Sequence, residues 1–282
     1  MKRFEGRTAV ITGAGSGFGL EVARIGAAKG MNLVLADVQQ DALDRAADEL
    51  RGKGAQVAAR FGAPHFVFNN AGIGTGGLIW ESTLKDWDWV LGVNLMGVVH
   101  GVRVFTPMML EAARKDPDYE GHMTNTASMA GMVNMPNMGV YNVSKHAVVS
   151  LTETLYQDLR LVTDQIGASV LCPFFVPTGI LASDRNRPDT LRDAGGPTKS
   201  QLVGKAMTEK AVGSGKVSAA DVAGFVFEAI AEDRFYVYSH PKSLSSVQMR
   251  LEDVVQSRNP TDPFAAKPEI GAALKKALRA AD

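Results

Sequence analysis

Two short β-type runs, with a glycine-rich turn and a helix between them, constrain the fold of this chain most. Residues 8–12 read TAVIT, the turn at 13–19 reads GAGSGFG, and a helical pattern follows over 18–29. A second apolar run, NLVLA at 32–36, comes next and leads into a polar helix predicted over 41–51. Strand, helix, strand and helix in this order are typical of a parallel sheet covered by helices on both faces.

The remainder of the chain continues the alternation, which predicts a single α/β domain. Further helices are predicted over 87–110, 140–163 and 219–231, and further strands over 65–68, 122–126, 168–172 and 234–239. No internal repeat or linker divides the 282 residues. We therefore expect one doubly wound parallel sheet between two helical layers, covering 1–282, with a C-terminal surface extension over about 241–282.

The composition argues against several classes of protein. Hydrophobic residues make up 45% of the chain and charged residues 21%, which is ordinary for a soluble enzyme. Thirty basic residues balance thirty acidic ones, so we expect neither a nucleic-acid nor a membrane partner. Cys172 is the single cysteine, and the sequence shows neither a signal peptide nor an apolar run near the roughly 18–20 residues of a membrane span. These features predict a cytoplasmic protein.

The glycine-rich turn is suited to binding a pyrophosphate. Glycines let the backbone turn tightly and approach the phosphates, whose charge then lies at the positive N-terminus of the following helix. Glycines alone are weak evidence, because any tight turn uses them. Asp37 closes the second strand about twenty residues further on, where an acid accepts hydrogen bonds from an adenosine ribose and repels a 2′-phosphate. NAD is therefore favoured over NADP, and the alternative is that Asp37 is only a turn or cap residue.

Tyr141 and Lys145 form the second motif. Residues four apart are neighbours on one face of a helix, so the phenol and the ammonium can share a site. A free tyrosine has a pKa of about 10, and a nearby ammonium lowers that pKa by stabilising the phenolate. The pair would then suit general acid–base catalysis near neutral pH. The same spacing is common on exposed helices, so the pair alone does not establish an active site.

Four motifs occur together and in order along the chain. They are TGxxxGxG at 12–19, NNAG at 69–72, Ser128 thirteen residues before Tyr141, and YxxxK at 141–145. With these motifs the chain resembles the short-chain dehydrogenase/reductase family over residues from about 5 to 240. The resemblance implies a Rossmann-type sheet that binds NAD or NADP and an activity on CH–OH and C=O groups.

The resemblance also implies a catalytic role for four residues. Tyr141 would be the proton donor and acceptor at the substrate oxygen, and Ser128 would orient and polarise the carbonyl by hydrogen bonding. Lys145 would hold the nicotinamide ribose and lower the pKa of the tyrosine. Asn94 would complete a water-linked proton relay. A purely structural role for Asn94 stays open, because a buried asparagine must be hydrogen-bonded in any case.

Cofactor contacts are implied in the same way, and no metal site is expected. The implied contacts are Gly13, Ser16, Gly17, Phe18, Gly19, Asp37, Asn70, Ala71, Gly72, Tyr141, Lys145, Pro173, Val176 and Thr178. After the strand ending at Cys172 the family usually has Pro-Gly, whereas this chain has Pro173-Phe174. We expect Phe174 to restrict the backbone beside the nicotinamide.

Methionines and aromatic residues suggest an apolar substrate. Apolar candidates for a pocket are Met129, Met132, Met135, Met138, Phe174, Phe175 and Trp80. Methionine fills irregular shapes, so these residues could shape a pocket for an apolar alcohol or ketone, or could equally be core filler. Residues 181–196 lie where the family keeps a mobile substrate lid, and their charges could equally belong to a solvated loop.

Two further questions stay open at the level of the sequence. The family commonly pairs the 87–110 and 141–163 helices between subunits, which implies a homodimer or homotetramer. Apolar residues Val148, Leu151, Leu155 and Leu159 fit such a face but equally fit an internal core.

The leading hypothesis for the function is an NAD-dependent oxidoreductase; the alternatives are a lyase or epimerase that keeps NAD bound, and a non-catalytic cofactor-binding scaffold.

The join between the second helix and NNAG is unusually short. It contains two strand-like runs, at 55–58 and 65–68, whereas parallel strands need a crossover of about a dozen residues or more. By resemblance, a third strand, a turn and a helix are shortened here by roughly twenty residues. Without a third strand, helix 41–51 would have to make a left-handed crossover, which almost never occurs.

Three explanations of the short join remain. A segment near Ala59 and Arg60 is absent from the sequence as given, or it is truly deleted and the adenine pocket is damaged, or the join takes an unusual path. We favour the first, because the flanking motifs match the family so well. An intact mass near 30.1 kDa would exclude it.

Overall fold

Six parallel strands form one sheet in the computed structural model, which describes residues 1–51, 62–213 and 215–280. The strands are β1 (Thr8–Thr12), β2 (Asn32–Ala36), β3 (Phe66–Asn69), β4 (Gly121–Thr126), β5 (Ile166–Cys172) and β6 (Tyr236–Tyr238). Their spatial order is β2-β1-β3-β4-β5-β6, and every neighbouring pair is parallel. The order changes direction at β1, so a crevice is expected at the carboxyl ends of β1 and β3.

Nine labelled helices accompany these strands in the described part of the chain. They are α1 (Gly17–Ala28), α2 (Gln40–Arg51), α3 (Leu84–Leu91), α4 (Gly97–Lys115), α5 (Gly139–Val162), α6 (Lys199–Gly213), α7 (Ala219–Glu232), α8 (Leu244–Val255) and α9 (Pro268–Arg279). Helices α1, α2 and α7 share a buried core with Ile11, Leu33, Phe66 and Phe68 on one face of the sheet. Helices α4 and α5 pack on Val67 of the opposite face. The predicted three-layer, doubly wound architecture is confirmed.

The helix predicted over 87–110 is not continuous. A π-helical turn, Gly92–Met96, separates α3 from α4. Such a turn inserts one extra residue into the helical repeat and is often found at functional sites. Here it carries Asn94, one of the predicted catalytic residues, and its side chain is fully buried.

The C-terminal residues are less peripheral than a surface extension. Val247 of α8 and Leu274 of α9 are buried, and α9 packs against α6. Helix α6 was itself not predicted, because its sequence, KSQLVGKAMTEKAVG, has only a weak apolar stripe. The tail therefore supports a helix that borders the candidate site described below.

One apolar stretch was also missed in the sequence. The helical run Leu84–Lys115 is 32 residues long and contains an 18-residue window with a mean hydropathy of 1.3, so it is long and apolar enough to cross a membrane by length and composition alone. A core helix of a soluble protein passes the same test, and Trp89, Val90, Val98 and Met109 of this run are buried inside the fold. Only 28% of that window is buried, however, and its other residues are partly or fully exposed in the single chain.

The short join lies mostly outside the described residues. The strand-like run at 55–58 falls there, as do Ala59 and Arg60, while α2 and β3 on either side are described. Within the described ranges, β2 is the edge of the sheet and no third strand stands beyond it. The sheet order there thus matches the expected order with the third strand left out.

Candidate active site

The glycine-rich turn between β1 and α1 leaves room for a phosphate. Gly13 and Gly17 have φ values of +65° and +54°, which side-chain-bearing residues rarely adopt. A Cβ on Gly19 would lie 2.1 Å from the carbonyl oxygen of Gly13, so only glycine fits there. Ser16 caps α1 without a side-chain hydrogen bond, and the first turn holds no acidic residue. The N–H groups at this positive helix end are therefore open to an anion such as a pyrophosphate.

Asp37 lies directly against this turn. Its Oδ2 accepts a hydrogen bond of 2.9 Å from the Gly15 N–H, and its Oδ1 accepts one of 3.0 Å from the Gln39 N–H. The two alternatives for Asp37 are therefore compatible: the carboxylate braces the local backbone and also places negative charge beside the phosphate turn. That position is the one expected for binding a ribose rather than a 2′-phosphate.

The NNAG motif is held to β1 by Thr12. The Thr12 hydroxyl accepts hydrogen bonds from the backbone N–H groups of Asn70 and Ala71, at 2.9 and 3.1 Å. The Asn70 amide donates to the Thr12 carbonyl at 3.1 Å and accepts from the Thr126 hydroxyl at 3.3 Å. A Cβ on Gly13 would lie 3.0 Å from the Asn70 side chain, so the NNAG motif packs directly against the glycine-rich turn. The carboxyl ends of β1, β3 and β4 are thus fixed as one platform.

Ser128 and Tyr141 meet at the end of β4. Ser128 starts the short 3₁₀ turn Met129–Gly131, and its Oγ accepts a hydrogen bond of 3.1 Å from the Ala130 N–H. Tyr141, near the start of α5, is buried. Burial raises the pKa of Tyr141, and a hydrogen bond with the Ser128 side chain partly offsets that rise.

Lys145 is buried one helical turn after Tyr141. Its Nζ donates to the Thr126 carbonyl at 3.0 Å and lies 5.7 Å from the centre of the Tyr141 ring. Burial lowers the pKa of Lys145 to about 8. We predicted a lowered tyrosine pKa from the nearby ammonium, whereas the net direction for Tyr141 is upward because the phenol is removed from water.

Asn94 is completely hydrogen-bonded in the π-helical turn. Its Oδ1 accepts from the Ile73 N–H at 2.8 Å, and its Nδ2 donates to the Ile73 carbonyl at 3.0 Å and to Ser144 Oγ at 3.1 Å. A Cβ on Gly72 would lie 3.5 Å from Asn94 Oδ1 and 3.6 Å from Lys145 Nζ, so all three groups converge. The structural alternative for Asn94 is thereby realised, and its part in a proton relay stays a prediction.

A cavity of about 460 Å³ opens beside these residues. Ser128 and Tyr141 line it, together with four of the predicted cofactor contacts, Phe18, Pro173, Val176 and Thr178. The other predicted contacts, Gly13, Ser16, Gly17, Gly19, Asp37, Asn70, Ala71, Gly72 and Lys145, are outside this lining. The glycine-rich turn and the cavity adjoin at Phe18, which belongs to α1 and lines the cavity together with Ser128 and Tyr141.

The cavity wall contains some of the predicted apolar residues. Met129, Met135, Met138, Phe174 and Phe175 line it, so these side chains are available to a substrate. Met132 packs instead against the core beneath α5, and Trp80 is 76% exposed and outside the lining.

Phe174 does not distort the backbone. Its N–H donates to Ser239 Oγ at 2.9 Å, and it is not among the described non-glycine residues with positive φ. The backbone there does not require glycine, and the expected restriction has no visible cost. The ring packs edge-on against Phe175 and His240, which places it on the wall of the cavity.

The sequence analysis left open whether the charges of residues 181–196 belong to a lid or to a solvated loop, and it did not predict that one of them pairs with α3. Asp86 and Arg187 line the wall and pair at 2.8 Å with little exposure. The sequence TLKD at 83–86 carries a capping-box signature that would have marked the start of α3, but nothing local identifies the distant arginine.

The open question about the four apolar residues of α5 is answered by their burial: Val148, Leu155 and Leu159 are buried and Leu151 packs in the core, so they are internal.

Comparisons with known proteins agree with this geometry. The family model described as short chain dehydrogenase matches residues 7–63 and 54–189. A short-chain dehydrogenase/reductase from Burkholderia phymatum, solved in complex with NAD, is 52% identical with a TM-score of 0.90, covering 94% of this chain and 100% of that one. The CLA biosynthesis dehydrogenase/reductase of Lactiplantibacillus plantarum is 30% identical, over 92% of this chain and 97% of that protein. The 1-deoxy-11-beta-hydroxypentalenate dehydrogenase of Streptomyces exfoliatus is 35% identical, over 88% and 86%.

The alignments also bear on the short join. The alignment with the Lactiplantibacillus protein is 283 positions long, but it includes only about 259 residues of this chain, 92% of 282. About 24 residues of that relative therefore have no counterpart in this chain. For the Streptomyces relative, 269 positions against 88%, about 248 residues, leave about 21. The two matched segments of the family model overlap at 54–63, within the join. The two relatives thus carry about twenty residues that have no counterpart in this chain, the number expected for the shortening, and the position of the shortening at the join stays a prediction.

Proposed function

The chain belongs to the short-chain dehydrogenase/reductase family, and on that premise we propose that it transfers hydride between NAD and the carbon of an apolar secondary alcohol or ketone. One observation carries the proposal: Ser128 and the buried Tyr141 line one cavity with an apolar wall of methionines and phenylalanines, and Phe18, next to the open phosphate turn, lines the same cavity. A reaction that needs both a dinucleotide and a proton at a carbonyl oxygen fits that arrangement.

The bound cofactor would supply or accept the hydride, and the protein residues would manage orientation and the proton. Ser128 would donate a hydrogen bond to the substrate oxygen. Tyr141 keeps its proton at neutral pH because burial raises its pKa, so it is ready to protonate the oxygen when a ketone is reduced. Lys145 would hold the nicotinamide ribose, and Asn94 would fix the Ile73 backbone next to Gly72.

NAD is proposed over NADP on the position of Asp37. Its carboxylate is bonded to the Gly15 N–H at the phosphate turn, so a 2′-phosphate there would meet a negative charge. The Burkholderia relative, at 52% identity, was solved with NAD. Residues Gly13, Gly17 and Gly19 would form the cradle for the pyrophosphate.

The substrate is proposed to be apolar and of small to medium size. The wall of methionines and phenylalanines favours hydrocarbon, and a cavity of about 460 Å³ is within the range of small-molecule sites. Two relatives are named for CLA biosynthesis and for oxidation of a hydroxypentalenate, which supports an alcohol or ketone as the reacting group.

Tyr141→Phe tests the proposal, because it removes the hydroxyl and keeps the ring. NADH-dependent reduction of a panel of apolar ketones is expected to fall about 10²- to 10⁴-fold, the usual contribution of general acid catalysis. NADH affinity, measured by fluorescence titration, is expected to change less than about threefold, because the ring still fills its place. Tyr156→Phe is the matched control: it lies on the same helix but packs against Phe235 and Arg160 outside the cavity lining. Unchanged turnover in Tyr141→Phe would refute the catalytic assignment.

The same assays distinguish two alternative functions from the proposed one. The short join favours a non-catalytic cofactor-binding scaffold, because the resemblance implies a turn there that touches the adenine. Absence of NADH binding by the wild type would support that alternative. Conversion of a substrate with bound NAD and no net change in NADH would instead support a lyase or epimerase.

We also propose that the protein is a cytoplasmic homo-oligomer, a dimer or a tetramer. Helices α4 and α5 leave Val104, Met108 and Val143 exposed, and most of the apolar window over 84–115 is not buried in the single chain. Covering this face with a second copy would remove the apolar area from water. Light scattering after size exclusion tests this: a mass of one chain would contradict it.

A further inference from the structure

Arg187, in the segment over the cavity, is buried against the helix on the other side. Its side chain is only 12% exposed, and its Nη1 lies 2.8 Å from Asp86 Oδ1 of α3. Its Nη2 lies 3.2 Å from Asp193, and its Nε donates to the Leu191 carbonyl at 2.8 Å. The guanidinium also stacks on Trp89 of α3, 5.0 Å from the ring centre. Every face of this side chain thus has a partner.

Both carboxylates that hold Arg187 are themselves fixed. Asp86 closes the capping box of α3: its Oδ2 accepts from the Thr83 N–H at 3.0 Å, and its own N–H donates to Thr83 Oγ1 at 3.2 Å. Asp193 accepts from the Thr83 hydroxyl at 3.0 Å. The Lys85 ammonium adds a bond of 2.9 Å to the Arg192 carbonyl. The start of α3 therefore grips residues 187–193 through several bonds.

Arginine is chemically suited to this position. Its planar guanidinium can donate to two carboxylates and a carbonyl at once and still lie flat on an indole, which a lysine cannot do. The guanidinium of Arg187 offsets the repulsion between the carboxylates of Asp86 and Asp193. Without it, Asp86 and Asp193 would repel each other in a poorly hydrated place, and the segment would have to move to let water in.

We propose that Arg187 is the clasp of the substrate lid: it binds residues 187–193 to α3 and so closes one wall of the substrate cavity. Asp86, Trp89, Arg187 and Asp193 all line that cavity, so loss of the clasp opens it. This inference rests on the proposed function only for the statement that the cavity receives a substrate. Arg187 is a positioning residue, since neither Ser128 nor Tyr141 is among its contacts.

The neighbouring helix α6 has anchors of its own besides one long contact with the clasp, from Gln201 Nε2 to Asp86 Oδ2 at 3.4 Å. Asn137 donates to the Ser200 carbonyl at 2.9 Å, and the Ser200 hydroxyl donates to Glu81 at 2.6 Å. Opening of the clasp should therefore loosen 187–193 and leave α6 in place. This difference separates release of the lid from general unfolding.

Arg187→Met tests the clasp, with Arg185→Met as the matched control. Arg185 is two residues away and exposed, and its bonds within the described residues go to Gly179, Ala182 and Gln39. In Arg187→Met, hydrogen exchange over 187–193 of the cofactor-free protein is expected to rise about tenfold or more, with α6 unchanged. KM for a ketone is expected to rise about tenfold, and kcat to stay within about threefold. Arg185→Met should match the wild type in all three measurements.

Two further variants keep the test decisive. Arg187→Lys restores the charge without the fork and should give an intermediate exchange rate. Asp86→Asn keeps the helix cap and removes one charge, and should raise exchange about threefold even if Arg187→Met fails to fold. Unchanged exchange in the soluble variants, or a fall in kcat at constant KM, would overturn the clasp. If the wild type reduces no ketone, the proposed function fails while the exchange data still decide this inference.

Discussion

The two halves of the candidate active site are built by different kinds of contact. At the phosphate turn, the bonds join backbone groups and short side chains of the first two strands and the NNAG motif, as between Gly15 and Asp37, 22 residues apart, and between Thr12 and Asn70, 58 apart. At the substrate wall, the bonds join residues about a hundred apart, as between Thr83 and Asp193, 110 residues apart. The first half repeats a geometry set by a short motif, whereas the second depends on where two distant loops meet.

The difference teaches where rigidity comes from in each half. Gly19 cannot carry a side chain because the Gly13 carbonyl occupies the place, so the turn is held by covalent geometry and close packing. Residues 187–193 are held by an ionic network that can exchange its partners for water. We therefore expect a single added methyl group at the phosphate turn to disrupt cofactor binding. Substitutions in the substrate half should instead change KM by smaller steps.

Gly19→Ala is expected to give the largest effect, since it tests the close packing of the phosphate turn. Its Cβ would lie 2.1 Å from a backbone oxygen, which cannot move aside without opening the turn. We expect NADH affinity to fall about 100-fold or more, and the free energy of unfolding to fall by about 1–3 kcal/mol, the usual cost of overpacking. Fluorescence titration and urea denaturation measure the two quantities.

Gly224→Ala provides the control for that substitution. Gly224 lies inside α7, and a Cβ there would meet nothing within 4 Å. Because alanine is the better helix former, this variant should gain about 0.5–1 kcal/mol of stability and leave NADH binding unchanged. Wild-type NADH affinity in Gly19→Ala would show that the turn is not closely packed after all.

The same contrast explains what the sequence could predict. Strands β1 and β2, helices α1, α2, α5 and α7, and the four motifs were predicted, because apolar periodicity and glycine chemistry are local. The π-helical turn, helix α6 and the Arg187 clasp were not, because tertiary contacts decide them. The raised pKa of Tyr141 belongs to the second group, since spacing to Lys145 says nothing about burial.

Lys145→Met tests the point where the two halves meet, with a medium effect. The buried ammonium has one described hydrogen bond, to Thr126, and burial lowers its pKa to about 8. Replacing it with an apolar side chain of similar length should raise the free energy of unfolding by about 1–3 kcal/mol at pH 7. Ketone reduction should fall about tenfold or more, because Lys145 would no longer hold the nicotinamide ribose. Urea denaturation and NADH oxidation measure the two. A variant less stable than wild type at pH 7 would contradict the cost of burial.

The pH dependence of that gain has a definite sign. The unfolded lysine holds its proton up to its ordinary pKa of 10.5, whereas the folded one releases it near 8. Between these values the unfolded state binds more protons, so the wild type gains stability with rising pH. The advantage of Lys145→Met should therefore be complete below pH 8 and shrink between pH 8 and 10.5. An advantage that stays constant to pH 10.5 would mean that Lys145 is not buried as a cation.

Leu274→Ala is expected to give the smallest effect, and it tests whether the substrate half responds gradually. Leu274 is buried in α9, which packs on α6 at the edge of the cavity. Weaker docking of α9 should let α6 move without releasing it, because Ser200 still holds α6 to Asn137 and Glu81. We expect KM for a ketone to rise about two- to threefold with NADH affinity unchanged, and Leu251→Ala on the exposed side of α8 to change neither. A parallel loss of NADH affinity would contradict this expectation. It would show that a movement of α6 reaches the phosphate turn through the fold as a whole, because no described hydrogen bond joins the two directly.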